Sequence, residues 1–233
     1  MRVVVNNQRL MAWRRAPLFR SVQLCGWRLA ESGAWRFACV GCIALSAWFA
    51  LSVVYLGLKG QGLQVAGVLS RAAVVIGWYA GLIVSWWSAT DRAGADQSDG
   101  VIGLARCHGL SADSMPLARA LAAWARLTAL VWVSTLPILI ATVATAPTLA
   151  LAGWRLTALV PLTLYAGGVG LVGGALASAC DVASPRHGRP LLAALVLVPW
   201  SLDGVLLAGR AQAGSLPGIL GFLATLAGRM GAG

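Results

Sequence analysis

Charged side chains are scarce in this sequence, at 11% of 233 residues, where an ordinary soluble domain carries about 25%. With 59% hydrophobic residues and a mean hydropathy of +0.78, there is too little polarity to clothe a water-soluble fold. The chain reads as an integral membrane protein. Lysine is nearly absent: Lys59 is the only one, and Gly60 follows it. A Gly-x-x-x-x-Gly-Lys-Ser/Thr loop, whose amides and lysine hold phosphates, is therefore missing, and the chain cannot be its own P-loop ATPase. The only histidines, His108 and His187, have no carboxylate or nucleophile partner nearby in sequence. Acid–base catalysis has no footing, and the protein is expected not to be an enzyme. Cys39 and Cys42 have C-x-x-C spacing, and Cys107 adjoins His108, but no second pair completes a four-ligand zinc site. Neither metal nor cofactor is expected, and the five cysteines read as small buried thiols without disulfides.

What is present is a succession of charge-free runs. Phe37 to Leu58 and Ala72 to Thr90 are close to the ~20 residues that cross hydrocarbon. Leu127 to Trp154 and Leu156 to Cys180 are separated only by Arg155, which reads as a tight hairpin at one interface. A fifth run starts at Pro190 and reaches Ala208 if Asp203 lies near the far interface. The sixth, Ala211 to Gly228, is glycine-rich and contains Pro217, so a re-entrant segment competes with a true span. The expectation is an all-α membrane protein with about six spans near 37–58, 72–90, 127–150, 156–180, 190–208 and 211–228. A basic segment, 1–36, precedes the transmembrane domain, 37–233. No cleavable leader is expected, because the first apolar run begins after seven arginines.

Basic residues set the orientation through the positive-inside bias. With the N-terminus inside, fourteen lie on the cytoplasmic side and four outside: Lys59, Arg71, Arg155 and Arg210. The topology is then N-in and C-in. Within the basic segment, Leu18, Val22, Cys25 and Leu29 recur at helical spacing while Arg20 and Arg28 lie elsewhere, the pattern of a helix on the inner leaflet. On the fourth span, Ala166, Gly170, Gly174 and Ser178 place a small residue at every fourth position, a face for close helix approach. Packing within the chain is favoured over a dimer seam. Asp203 is the one carboxylate near membrane depth and a candidate polar site, weighed against a plain marker of the outer end of its helix.

The loop from Asp91 to Arg126 holds four of the seven acids: Asp91, Asp96, Asp99 and Asp113. Asp99 and Gly100 open a short amphipathic stretch with Val101, Ile102, Leu104 and Ala105; Gly109 breaks it, and Ser111 is placed to cap the next helix. That helix carries Met115, Leu117, Leu121 and Trp124 into the third span. This order resembles the intracellular coupling segment of type-2 ABC exporter permeases. The aligned residues are Asp96, Asp99, Gly100, Ile102, Leu104, Leu110, Ser111, Leu117, Arg119 and Leu121. Val101, Gly103 and Gly109 stand where that family has threonine, glutamate and proline. The resemblance implies a six-span half-transporter in the bacterial inner membrane, with an interface helix, a coupling helix between spans 2 and 3, a second permease subunit and a separate ABC ATPase. No nucleic-acid partner is implied. The coupling contact would fall on Asp99, Gly100, Val101, Ile102, Leu104, Gly109 and Ser111. A narrower resemblance, to the haem-exporter B-type subunits of cytochrome c maturation, rests on Asp99, Gly100, Leu117, Ala118, Arg119 and Trp124. A non-transporting membrane scaffold derived from a permease is the further alternative.

Overall fold

The computed structural model describes residues 17–88 and 114–183, together with 100, 103, 107, 187, 188 and 190–194. Every element of it is helical: α1 Pro17–Glu31, α2 Gly33–Leu58, α3 Gly62–Ser88, α4 Met115–Ala144, α5 Leu149–Leu156 and α6 Leu159–Ala183. Among the described residues, four stretches are long and apolar enough to cross a membrane, namely Gly33–Leu58, Gly67–Ser85, Met115–Ala144 and Leu149–Cys180. Such a set is the make-up of an integral membrane protein. The expected spans at 190–208 and 211–228, and Asp203 with them, lie outside the described residues beyond 194.

Local chemistry sets where each helix begins. Ser32 closes α1 by donating its hydroxyl to the Leu29 carbonyl at 2.6 Å, and caps α2 by accepting the Trp35 N–H at 3.2 Å. Gly60, at φ +70°, supplies the left-handed turn between α2 and α3. The cap position of α4 belongs to Ser114 and not to Ser111, with Pro116 in the first turn, where its missing N–H costs nothing. Ser111 itself lies outside the described residues.

Two boundaries differ from the charge-free runs. The corner after α4 falls at 145–148 rather than at Arg155, because Pro147 cannot continue the helix and Thr148 caps α5 by accepting the Leu151 N–H at 3.2 Å. Arg155, 3% exposed, folds back onto the end of α4. Its Nη1 donates to the Thr142 carbonyl at 2.5 Å and to Thr145 Oγ1 at 3.5 Å. Carbonyls at a helix C-terminus lack intrahelical donors and sit at the negative end of the dipole, so a cation belongs there. The second correction is at α3, which starts at Gly62, so Arg71 lies within the helix and within its apolar stretch. A search for uncharged runs must stop at such a residue, whereas a helix does not.

The four long helices form a bundle in which α2 and α4 run in one direction and α3 and α6 in the other. Gly57 lies by Thr145, and the Arg126 guanidinium stands over the Trp35 ring at 5.9 Å, so α2 and α4 are parallel. Tyr165 donates to the Val74 carbonyl at 3.4 Å and Ser85 to the Gly173 carbonyl at 3.2 Å, which fixes α3 parallel to α6. The largest interface joins α4 and α6. There Ala166, Gly170 and Gly174 are buried and Ser178 half-buried. A Cβ on Gly170 would stand 2.6 Å from the Trp124 carbonyl oxygen, and one on Gly174 2.7 Å from that of Ala120. Backbone stands in the way at both positions, and at Gly170 the Thr128 hydroxyl stands closer still, so moving a side chain alone does not make room.

Gly170→Leu or Gly174→Leu therefore forces α6 away from α4. Each substitution is expected to destabilise the bundle by about 3 kcal/mol or more, at or beyond the usual range for overpacking. Leucine at Gly167, where a Cβ meets nothing within 4 Å, is the control and should change little. Thermal unfolding in detergent, followed by circular dichroism, measures the difference.

Candidate functional site

At the end of the bundle where α4 begins, the helix runs about 18 Å, its residues 115 to 126, before its uncharged portion starts at Leu127. Arg119 and Arg126 lie on this extension, and α1 is clamped along it. Cys25 packs with Met115, Ala118 and Ala122, with Val22 alongside. Gly26 faces Ala122 and Arg126 closely enough that a Cβ would sit 3.7 Å from the Arg126 Nε. The stripe Ser21, Cys25, Gly26 and Leu29 is therefore buried by protein, whereas Phe19 and Trp27 of α1 stay exposed. Of the positions that the sequence pattern assigned to a membrane surface, Cys25 and Leu29 are buried and Val22 half-buried, while Leu18 stays exposed. A neighbouring helix with alanines at the right spacing takes Cys25 instead.

The segment between α3 and α4 is described at three positions. Gly100 has φ +69°, which places a left-handed residue next to Asp99 at the start of the amphipathic stretch, and Gly103 and Cys107 are helical and exposed. Asp99, Val101, Ile102, Leu104, Gly109 and Ser111 lie outside the described residues. The chain leaving this segment enters α4 directly, a continuous 30-residue helix. Displacement of its first turn thus reaches α1 through Cys25, α2 through Arg126 and Trp35, and α6 through Gly174.

No group of three metal-ligating side chains occurs among the described residues. Cys42 is buried in the α2 core, Cys39 is half-buried one turn away, Cys25 and Cys180 are buried, and Cys107 is exposed. Compared with family models, with curated proteins and with solved structures, the chain matches none.

One feature escaped the sequence reading. An apolar cleft of about 50 Å³ opens between α3 and α6, lined by Gly77, Trp78, Gly81 and Leu82 on one side, by Val169 and Gly173 on the other, and by Leu192 from beyond α6. Arg71 lies on α3 beyond one end of it and is exposed. The usable signal was the helical spacing of Gly77 and Gly81 opposite another glycine-rich span.

Clamping of α1 has a measurable consequence. In protein retaining Cys25 as its only cysteine, a maleimide should react slowly, because the thiol is 9% exposed. Replacing Ala122, 3% exposed, with phenylalanine pushes α1 off α4 and should raise the rate by about tenfold, as local opening comes to dominate. Equal rates would show that α1 does not rest on this surface.

Proposed function

We propose that the chain is the transmembrane subunit of an ABC-type exporter, coupling ATP hydrolysis in a separate subunit to movement of a substrate across the bilayer. The observation that carries this reading is the order of elements around the loop. The stretch from Asp96 to Leu121, similar to the coupling segment of type-2 exporter permeases, opens directly onto α4. Because α4 touches α1, α2, α3 and α6, it is the one helix through which a push at the loop reaches the whole bundle. The lack of a P-loop in the sequence requires that the ATPase be another chain.

In this reading the protein sits in the bacterial inner membrane with both termini inside. Fourteen of its eighteen basic residues then face the negative cytoplasmic leaflet. Six spans complete the half-transporter, a second permease subunit makes the conduit, and two ATPase subunits dock beneath. Asp99 stabilises the N-terminus of the coupling helix, and Val101, Ile102 and Leu104 seat in the ATPase. The haem-exporter B-type subunit is the narrower form of the same reading, favoured by Asp99, Gly100 and the Leu117, Ala118, Arg119, Trp124 frame. Loss of the family's glutamate at Gly103 favours the other form, a scaffold that no longer transports.

Docking separates these readings. Changing Ile102 and Leu104 together to aspartate places two carboxylates in an apolar contact, where they are costly to bury. Recovery of the ATPase with the affinity-purified permease should fall by about tenfold or more at equal membrane abundance. Undiminished recovery removes the coupling assignment. A protein that purifies from its native membranes without any nucleotide-binding partner favours the scaffold.

A further inference from the structure

Arg71 lies nine residues into α3, about 13 Å from its start at Gly62. Around the bundle at this level most exposed side chains among the described residues are apolar: Trp48 and Leu51 on α2, Val133 on α4, Val160 and Leu164 on α6, with the Thr163 hydroxyl between the last two. Trp48 is 70% and Leu164 64% exposed, so this belt is the part of the surface that hydrocarbon covers. Among the described residues, Arg71 is the exposed cation inside it. An ionised side chain facing lipid at this depth is costly, and natural membrane proteins retain one where an opposite charge or a polar passage meets it.

Its surroundings say what kind of group that is. Arg71, Val75, Trp78 and Leu82 follow one another at i, i+4, i+7 and i+11 and share one face of α3. The lower half of that face is a wall of the apolar cleft, where Gly81 leaves out side-chain volume, while Tyr165 fills the space over Gly77 and Leu127 and Ser85 that over Gly173. From Arg71 to Leu82 the rise is about 16 Å, comparable to an extended acyl chain. A cation in the outer part and a narrow apolar slot leading away from it together complement one kind of molecule. A second copy of this chain does not fit, because a two-fold contact through this face would set two Arg71 guanidinium groups against each other.

We propose that this face of α3 binds a single-chain amphiphile with an anionic head, a long-chain carboxylate in the simplest case. Arg71 pairs with the headgroup, the chain lies along the face of Val75 and Trp78, and its end enters the cleft between α3 and α6. Ion pairing excluded from water supplies the preference for the acid. The apolar slot supplies the preference for one chain over two. The site stands without the exporter reading; within that reading it names the class of cargo.

The test uses the full-length protein in nanodiscs of uncharged lipid, with a photoactivatable palmitate as the probe and peptide mapping as the readout, and needs no ATPase. Failure here is therefore distinct from failure of ATPase docking. Cross-links are expected on residues 77–82 and 169–176, displaced by unlabelled palmitate and not by hexadecanol. Arg71→Leu should lower labelling by about tenfold, while Arg71→Lys, which keeps the charge, should hold it within about twofold. Gly81→Leu fills the slot and should abolish labelling while the protein still folds, because a Cβ there meets Val169 only at 3.6 Å, an ordinary contact. Equal displacement by the acid and the alcohol would overturn the proposal, as would wild-type labelling in the Arg71→Leu or the Gly81→Leu protein. So would a charge-exchanged Arg71→Asp, Asp203→Arg protein that recovers stability lost in both single variants, since Arg71 would then be paired within its own chain.

Discussion

The close approach of α4 to α6 is the constraint on which the other contacts depend. In a bilayer, apolar side chains gain nothing from leaving lipid for one another, so helices associate through packing and through polar contacts that lipid cannot offer. Gly170 and Gly174 leave no side chain between the two backbones, and buried alanine at 166 extends the seam. Once that pair is set, Trp124 reaches the Gly167 carbonyl at 3.2 Å and Trp132 reaches Thr163 at 3.2 Å. The same pair sets where α3 must lie. Tyr165, fully buried, fills the space over Gly77 and bonds the α3 backbone, and Ser85 bonds α6 one helix half further along.

Several hydroxyls within the apolar spans bond their own helix. Thr135 donates to Val131 at 2.8 Å and Thr142 to Ile138 at 2.7 Å, each satisfying itself on its own helix. Such residues add little association energy, since the same bond forms in an isolated helix. Contacts that cross between helices are fewer, and they mark the interfaces: Tyr79 to the Phe37 carbonyl between α3 and α2, and Arg155 to the end of α4. The bundle is thereby held at its ends and its glycine seams, while α2 keeps a broad apolar face exposed, including Phe37, Val40, Ile43 and Trp48.

Two arginines illustrate how position within a helix alters the meaning of charge. Arg155 reads in the sequence as the tip of a hairpin, yet it is buried as a donor to carbonyls that α4 leaves open. Arg71 reads as the outer limit of a span, yet α3 continues past it for about two and a half further turns toward Gly62. In both cases the charge-free run misplaces the boundary, because burying or pairing one guanidinium costs less than breaking the backbone hydrogen bonds of a helix in lipid.

Helix content, membrane residence and the approximate centres of the first four spans followed from the sequence alone, because hydrophobic length is a local property. The small-residue stripe on α6 was legible for the same reason, since its period is that of one helix. The break at Ser32 was not marked, although serine before a tryptophan-containing turn is an ordinary cap. Which surface each stripe meets was decided by the tertiary structure. The pattern of Leu18, Val22, Cys25 and Leu29 is equally suited to a leaflet or to a helix; the alanines of α4 at 118 and 122 took Cys25 with Val22 alongside, Leu29 joined the main core, and Leu18 stayed exposed. The slot between α3 and α6, with Arg71 on the same helix about 9 Å beyond its end, required two helices remote in sequence to lie side by side. Sequence periodicity fixes which residues share a face, but the partner of that face depends on the register between helices. That register is set by where glycine lets two backbones meet.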